Sequence, residues 1–381
     1  MDKTSTLRLL RMAAAISLLL LLVNHLLPPK AFAATQLLFD YEFGLIRRGL
    51  VGSLLAPLFG DTVSVREILA AAAIISLAGT LAVWRFLRPA GDSIAGWLLL
   101  ILALNSFGFA SFTGNSGYLD TVLVALTVLA LSLDAGRLPG LLVRLALVAL
   151  AMLVHENMLP YFTMLLAFDL WLARGRDTRA LLLAATPVLT GALVLVAMAV
   201  LSPITDAAAF AEHLQSKAEF ALDPNATIVA GRSVSDNFAL MAELRQTPKY
   251  WTWVLFDGVP LAAMSLWLIW LAMQVAGRDG NGLMRLFIVG VIAAPLSLNI
   301  IAFDVVRFGA ASVLVGFMVI VLLLRNLPQA RERLEAALSW PHFVVVLVLN
   351  ANIFTIGVNV GGGHVSQFPW VLLTQLKWLH P

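Results

Sequence analysis

Long apolar stretches are the feature that most constrains this chain. Runs of about 20 residues, rich in Leu, Ala and Val, alternate with short polar segments from the N-terminus onward. A helix of that length spans the hydrocarbon core of a bilayer. An open sheet could not satisfy its backbone there, and the alternating pattern of a transmembrane barrel is missing. The sequence therefore predicts an all-α, polytopic bundle of transmembrane helices.

The composition agrees with a membrane environment. Hydrophobic residues make up 60% of the chain and charged residues only 12%, whereas soluble domains carry about twice that charged fraction. The absence of cysteine excludes disulfides, thiolate metal sites and cysteine catalysis. The net charge of +3 comes mostly from arginines at the ends of spans, which is a topology signal and does not indicate a nucleic-acid partner.

About eleven spans are predicted within one transmembrane domain that covers residues 1–381. The first is interpreted as an uncleaved signal anchor, and a cleaved signal peptide ending near Ala34 stays open as the alternative. The approximate bounds of the spans are 8–27, 66–87, 94–112, 117–133, 141–155, 158–173, 180–201, 251–275, 283–302, 308–324 and 341–358.

The distribution of Lys and Arg predicts the orientation. With the N-terminus in the cytoplasm, every short inner loop carries at least two arginines, and the short outer turns near Gly114 and Glu156 carry none. The C-terminus then lies outside, and residues 28–65 and 202–250 form the main outer loops. This arrangement is typical of a multi-pass protein of a bacterial inner membrane.

The predicted outer loops contain amphipathic segments. Residues 43–59 and 207–220 predict helices that lie in the membrane interface. Pro224 and Pro248 bracket a polar loop, and the aromatic residues of 368–378 predict a short interfacial helix near the C-terminus.

Four clusters of polar residues fall at the outer face of this topology. Placing an ionisable group at membrane depth costs free energy, so such groups pair with each other or serve a function. We therefore expect the clusters to converge around one outer cavity. They comprise Asp40, Glu42, Arg47 and Arg48; Asn115, Tyr118 and Asp120; His155, Glu156 and Asn157; and Asp304 and Arg307.

The first cluster carries the clearest chemistry. Asp40 and Glu42, two positions apart, can both face a pocket if the segment is extended. One can act as a general base, or both can hold a divalent cation such as Mg²⁺ or Mn²⁺ through oxygen ligands. Arg47 and Arg48 offer fork-shaped donors suited to phosphate oxygens. The alternative is that one carboxylate pairs with Arg47 and only folds the loop.

The other clusters leave two interpretations open. His155 can act as an acid or base near neutral pH, or its ring can bond to a backbone carbonyl at a helix end. Arg307 can bind phosphate, or it can pair with Asp304 at the i, i+3 spacing and close a turn. Asp120 lies one turn into an apolar stretch, where a simple capping role does not account for it.

The layout resembles polytopic glycosyltransferases of the GT-C type, which use polyprenyl-phosphate-linked sugar donors. Asp40-Tyr41-Glu42, just after the first span, is similar in type and place to the acidic motif of that class. The long later outer loop, 202–250, and the amphipathic first-loop segment also look like that class.

The resemblance implies an outer-face glycosyltransferase of cell-envelope glycan or glycolipid synthesis. Its partners are a lipid-linked sugar donor, a glycan or lipid acceptor, and the membrane lipids. Asp40 and Glu42 are then catalytic, with Asp120, and with His155 to orient the acceptor. The candidates for phosphate binding are Arg47, Arg48 and Arg307, supported by Asn115, Tyr118, Glu156 and Asp304.

Other functions are compatible with this sequence. A polymerase or ligase for surface polysaccharide would share the lipid-phosphate substrate and the outer site. A transporter or flippase of a lipid-linked substrate usually places its charges near mid-membrane, often with repeats. Two further alternatives are a membrane acyltransferase, which would use His155, and a purely structural subunit.

Overall fold

The computed structural model describes residues 2–24, 28–60, 62–114, 116–201, 204, 206–302 and 304–350. Within these ranges the chain forms helices and turns without a β-strand, apart from an isolated parallel bridge between Val63 and Ala218. The prediction of an all-α fold is therefore confirmed for the described residues.

The α-helices are numbered in chain order. They are α1 Lys3–Asn24, α2 Ala31–Gln36, α3 Gly49–Leu55, α4 Val65–Leu87, α5 Ile94–Leu104, α6 Phe107–Gly114, α7 Leu119–Ser132, α8 Leu138–Val154, α9 Met164–Ala173, α10 Thr178–Ala184, α11 Thr186–Leu201, α12 Ala207–Ser216, α13 Pro224–Gly231, α14 Val234–Leu244, α15 Pro248–Trp253, α16 Val259–Ala276, α17 Gly282–Ala293, α18 Val305–Asn326, α19 Ala330–Ala337 and α20 Trp340–Asn350. Short π-helical turns, Leu159–Thr163 and Val254–Gly258, lead into α9 and α16.

Six helices of the described part are long and apolar enough to cross a membrane. They coincide with six of the predicted spans and cover Lys3–Val23, Val65–Ala90, Thr178–Leu201, Val259–Asp279, Gly282–Ile300 and Val305–Asn326. Shorter apolar helices occupy the spans predicted between 94 and 173. The last predicted span is helical up to Asn350, and its remainder lies outside the described residues, as does the interfacial helix at 368–378.

Two features predicted for residues 28–65 and 202–250 are wrong in detail. The helix predicted at 43–59 begins only at Gly49, because Gly44 and Arg48 adopt positive φ angles of 111° and 67° that a helix does not allow. The polar loop predicted between Pro224 and Pro248 contains two helices, α13 and α14.

The chain divides into two compact units. Of the described residues, one unit comprises those within 2–21, 84–114 and 238–350, and the other comprises those within 22–83 and 116–237. The single domain predicted for residues 1–381 stays a prediction.

Helix α18 forms the centre of the first unit. Its span is 89% buried, against 39% for α16 beside it. Gly309 and Gly316 let α16 approach closely, since a Cβ added at either position would lie 2.7 or 2.8 Å from the side chain of Leu261 or Leu268. Small residues at such contacts are a common device of membrane helix packing.

A buried ion pair joins helices of the second unit. Arg144 of α8 donates to Asp169 of α9 over 2.6 Å, and its other terminal nitrogen donates to the carbonyl of Leu133, just after α7, over 2.6 Å. Both charged side chains are nearly buried. This pair holds together the ends of three helices near the predicted inner loop that follows α7.

Candidate functional site

The segment that carries Asp40 is fixed by the helix that follows it. The hydroxyl of Ser53, on α3, accepts a hydrogen bond from the backbone N–H of Tyr41 over 2.9 Å. Asp40 accepts a bond from the N–H of Glu42 over 3.0 Å, which closes a tight turn. Gly52 lies directly against the carbonyl of Phe39, 2.1 Å from where a Cβ would stand. The backbone before the turn therefore packs directly against the backbone of α3 at Gly52.

Asp40 and Glu42 share a cation from the end of α12. The ammonium of Lys217 lies 2.5 Å from Oδ2 of Asp40 and 2.6 Å from Oε2 of Glu42. His213 Nε2 lies 3.6 Å from Oδ1 of Asp40. Asp40 is buried, Glu42 is exposed, and Lys217 and His213 are intermediate. Four side chains from two distant segments thus form one cluster, named here the acidic cluster.

Aromatic packing holds α12 against residues 39–48, the segment that carries Asp40 and Glu42 and is named here the acidic loop. The ring of Phe210 is fully buried, with its centroid 5.1 Å from Phe39 and 5.3 Å from Phe43. The ring of Phe43 also lies 5.6 Å from that of His213. Phe39 and Phe43 flank the two carboxylates in sequence, so these contacts bring α12, and with it His213 and Lys217, to Asp40.

The electrostatics of Lys217 follow from this geometry. Burial alone would lower the pKa of the Lys217 ammonium. Its hydrogen bonds to Asp40 and Glu42, with the negative charge of both carboxylates, outweigh that effect and raise the pKa above its usual value. Lys217 therefore carries its full positive charge at neutral pH.

The donors of the acidic cluster are of the kind that bind divalent cations. One ligand atom each from Asp40, Glu42 and His213 lies within 4.8 Å of the others. Cation–oxygen distances of about 2.0–2.6 Å are typical of Mg²⁺ and Ca²⁺. The Lys217 nitrogen already lies at 2.5 and 2.6 Å from oxygens of both carboxylates, so a metal between them would meet it. The arrangement with Lys217 in place does not fit a metal ion.

Arg47 and Arg48 make different contacts from those expected of phosphate ligands. Nη2 of Arg47 donates to the carbonyls of Ala230 and Arg232 over 2.7 and 2.5 Å, which ties the acidic loop to the end of α13. Arg48 is buried and donates through Nε and Nη2 to both carboxylate oxygens of Glu156. Phosphate binding by either arginine stays a prediction.

The second cluster centres on Glu156. His155 is buried, and its Nδ1 accepts from the N–H of Asn157 over 3.1 Å and lies 3.3 Å from Oε2 of Glu156. Burial tends to raise the pKa of Glu156, but the positive charge of Arg48 and its hydrogen bonds to Glu156 hold that pKa well below its usual value. Glu156 thus stays ionised as the counter-charge of Arg48.

The remaining residues of the second unit are placed as follows. Asp120 is buried in the first turn of α7, where the helix dipole favours its charge. Tyr118 is the N-cap of that helix, and its ring stacks on Phe32 at a centroid distance of 6.2 Å. Asn115 lies outside the described residues. Roles of these residues in a reaction stay predictions.

Asp304 and Arg307 belong to the first unit. Asp304 caps α18 by accepting from the N–H of Arg307 over 3.2 Å, and its Oδ2 lies 3.2 Å from Nε of the Arg307 side chain. Asp304 and Arg307 thus form an ion pair at the start of α18. A phosphate contact for Arg307 and the convergence of four clusters around one cavity stay predictions.

The sequence interpretation did not identify Lys217 and His213 as site residues. Both lie in the segment 207–220, which was recognised only as amphipathic. Their i, i+4 spacing places them on the same face of α12 and the turn that ends it. A basic pair at that spacing, in the second predicted outer loop, is the signal that could have linked them to Asp40.

Comparisons with protein families, curated proteins and solved structures find no match for this chain.

Proposed function

We propose that this protein is a membrane glycosyltransferase that transfers a sugar from a polyprenyl-phosphate donor at the outer face. The contact of Lys217 with Asp40 and Glu42 carries the proposal. It brings a buried carboxylate, a second carboxylate and a cation together from the two outer segments that a GT-C-like layout would use for catalysis.

The chemistry of the transfer matches these groups. The acceptor hydroxyl must lose its proton as it attacks the sugar carbon, and the bond from that carbon to the phosphate oxygen breaks. Asp40 is the base in this proposal. The phosphate leaves with negative charge, which Lys217 is placed to stabilise. Glu42 balances Lys217, and His213 lies beside Asp40 to orient the acceptor.

The proposal includes a topology of about eleven spans with the acidic cluster outside. Large apolar side chains on the long helices face outward, including Leu19, Ile74, Leu193 and Val200, which supports a lipid-facing surface. Because the chain contains no cysteine, single cysteines can report the orientation. Ser235→Cys should react with a membrane-impermeant maleimide in intact spheroplasts, and Ser132→Cys only after permeabilisation. The reverse pattern would reject the topology.

The activity is tested with the purified full-length protein in liposomes. We expect transfer of sugar from a panel of polyprenyl-phosphate sugars, and a rate at least about 100-fold lower for Asp40→Asn. The matched control is Glu212→Gln, which removes an exposed carboxylate next to His213 and should leave the rate unchanged. Wild-type activity in Asp40→Asn would remove Asp40 from the mechanism.

The same liposomes separate a transferase from a flippase. A transferase consumes the donor and yields free polyprenyl phosphate, whereas a flippase moves the intact lipid between leaflets. In cells that lack the protein, we expect a polyprenyl-linked sugar to accumulate. Movement of intact donor without its consumption would instead favour the flippase.

A further inference from the structure

Lys217 is held at the acidic cluster by its backbone as well as by its side chain. The N–H of Val63 donates to the carbonyl of Lys217 over 2.6 Å, and the N–H of Glu219 donates to the carbonyl of Val63 over 3.1 Å. These two bonds form the isolated parallel bridge. The hydroxyl of Thr62 also donates to the Glu219 carboxylate over 3.3 Å. The segment that carries Lys217 is therefore attached to the residues just before α4.

The two attachments distinguish Lys217 from an ordinary surface lysine. Long exposed lysine side chains pay entropy to hold one ion pair, and such pairs contribute little. Here the side chain is only 21% exposed, and its single nitrogen contacts two carboxylates at hydrogen-bond distance. A fixed backbone lowers the cost of that geometry. The fold thus places a positive charge between Asp40 and Glu42.

A divalent cation would require the same space. The ligand atoms of Asp40, Glu42 and His213 are grouped closely enough to bind one. Both carboxylates, however, already direct an oxygen to the Lys217 ammonium. A metal between those two oxygens would lie close to the ammonium nitrogen that already contacts both of them, and charge repulsion and steric overlap both oppose it.

We infer that Lys217 is the resident cation of this site and occupies the place that a divalent metal would take between Asp40 and Glu42. The site then operates without a divalent metal, and the Lys217 ammonium contacts the phosphate of the donor. The phosphate contact rests on the proposed function. The occupancy of the site by Lys217 does not, and it can be tested separately.

Manganese binding to the purified full-length protein tests the occupancy. Electron paramagnetic resonance measures bound Mn²⁺ near neutral pH. We expect wild type and Asp40→Asn to bind equally little. Lys217→Met should gain one Mn²⁺ site, and the double variant Lys217→Met with Asp40→Asn should lose it. Lys217→Arg keeps the charge, and Lys249→Met removes a lysine elsewhere, so both should behave as wild type.

Two results would overturn the inference. One is Mn²⁺ binding by wild type that Asp40→Asn abolishes, which would show a metal site with Lys217 present. The other is folded Lys217→Met that gains no Mn²⁺ site. Gel filtration and thermal unfolding establish folding. The comparison of wild type with Asp40→Asn needs no substitution at Lys217, so it decides the question even if Lys217→Met misfolds.

Sugar transfer provides the second measurement. Wild type treated with a chelator should retain its transfer rate. Lys217→Met should lose about 100-fold, the effect of removing one charge-stabilising group, and added Mn²⁺ should restore part of it. Loss of wild-type transfer on chelation, with recovery on adding Mn²⁺, would contradict the inference. Absence of transfer with every donor would reject the proposed function and leave the Mn²⁺ result standing.

Discussion

Arg48 and Glu156 form a largely buried ion pair, with two guanidinium nitrogens directed at the two carboxylate oxygens. Arg48 ends the acidic loop in a left-handed conformation, with φ of 67°, and starts α3. Glu156 lies in the turn after α8. The pair therefore fastens the loop that presents Asp40 to a helical turn more than a hundred positions away.

Breaking this pair should destabilise the second unit strongly. Glu156→Gln leaves the buried Arg48 guanidinium without its counter-charge, and the removal of one partner of a buried pair costs about 3 kcal/mol or more. The free energy of unfolding in detergent measures the effect. The matched control is Arg137→Ala, which removes an exposed ion pair with Asp134 and should cost less than about 1 kcal/mol. Equal losses in both variants would contradict the structural role.

The same pair predicts a loss of stability in acid. The pKa of Glu156 in the folded protein lies well below its ordinary value of 4.5. A carboxylate with a lowered pKa stabilises the fold above its unfolded pKa, and the contribution is lost as the pH falls through the folded pKa. The stability advantage of wild type over Glu156→Gln should therefore be constant near neutral pH and shrink below about pH 4.5. An advantage that stays unchanged in acid would show that Glu156 is not ionised.

Much of the helical architecture follows from the sequence because long apolar runs constrain the backbone. In a bilayer an apolar run of about 20 residues can only be a helix, and the six long apolar helices of the described residues lie close to their predicted bounds. The helical start at Gly49 was harder to predict. It depends on the left-handed φ of Arg48, which the contact with Glu156 over a hundred positions away stabilises.

The candidate site was only partly predictable, because it too depends on contacts between residues far apart in the sequence. Asp40 and Glu42 stand out in the sequence because carboxylates beside a predicted span have a high free-energy cost. In the sequence, nothing distinguishes Lys217 from the other basic residues of its loop. Its importance comes from tertiary contacts, namely the backbone bridge to Val63 and the packing of Phe210 on Phe39. Local patterns do not encode contacts of that sequence separation.

Truncation of Phe210 should detach α12 from the acidic loop. The ring is fully buried between Phe39 and Phe43, and replacing a buried Phe by Ala costs about 3–5 kcal/mol. We expect Phe210→Ala to lower the free energy of unfolding by that amount. If the protein has the proposed function, the variant should also transfer sugar more slowly, because Lys217 loses its position. Phe238→Ala truncates an exposed Phe and should have little effect on either measurement. An unchanged rate of sugar transfer in Phe210→Ala would show that the position of α12 does not affect the reaction.

Gly52 should tolerate no side chain because α3 lies against the backbone that leads to Asp40. A Cβ at this position would stand 2.1 Å from the Phe39 carbonyl oxygen and 2.9 Å from that of Leu37, and backbone atoms cannot yield as a side-chain end can. Overpacking of this kind costs about 1–3 kcal/mol. We expect Gly52→Ala to lower the melting temperature. If the protein has the proposed function, sugar transfer should fall by more than the loss of stability explains, since Asp40 moves with Phe39. Gly60→Ala is the control, because its Cβ would meet only the Thr62 carbonyl at 3.9 Å. Transfer by folded Gly52→Ala at the rate of Gly60→Ala would show that the position of the Phe39 backbone does not govern Asp40.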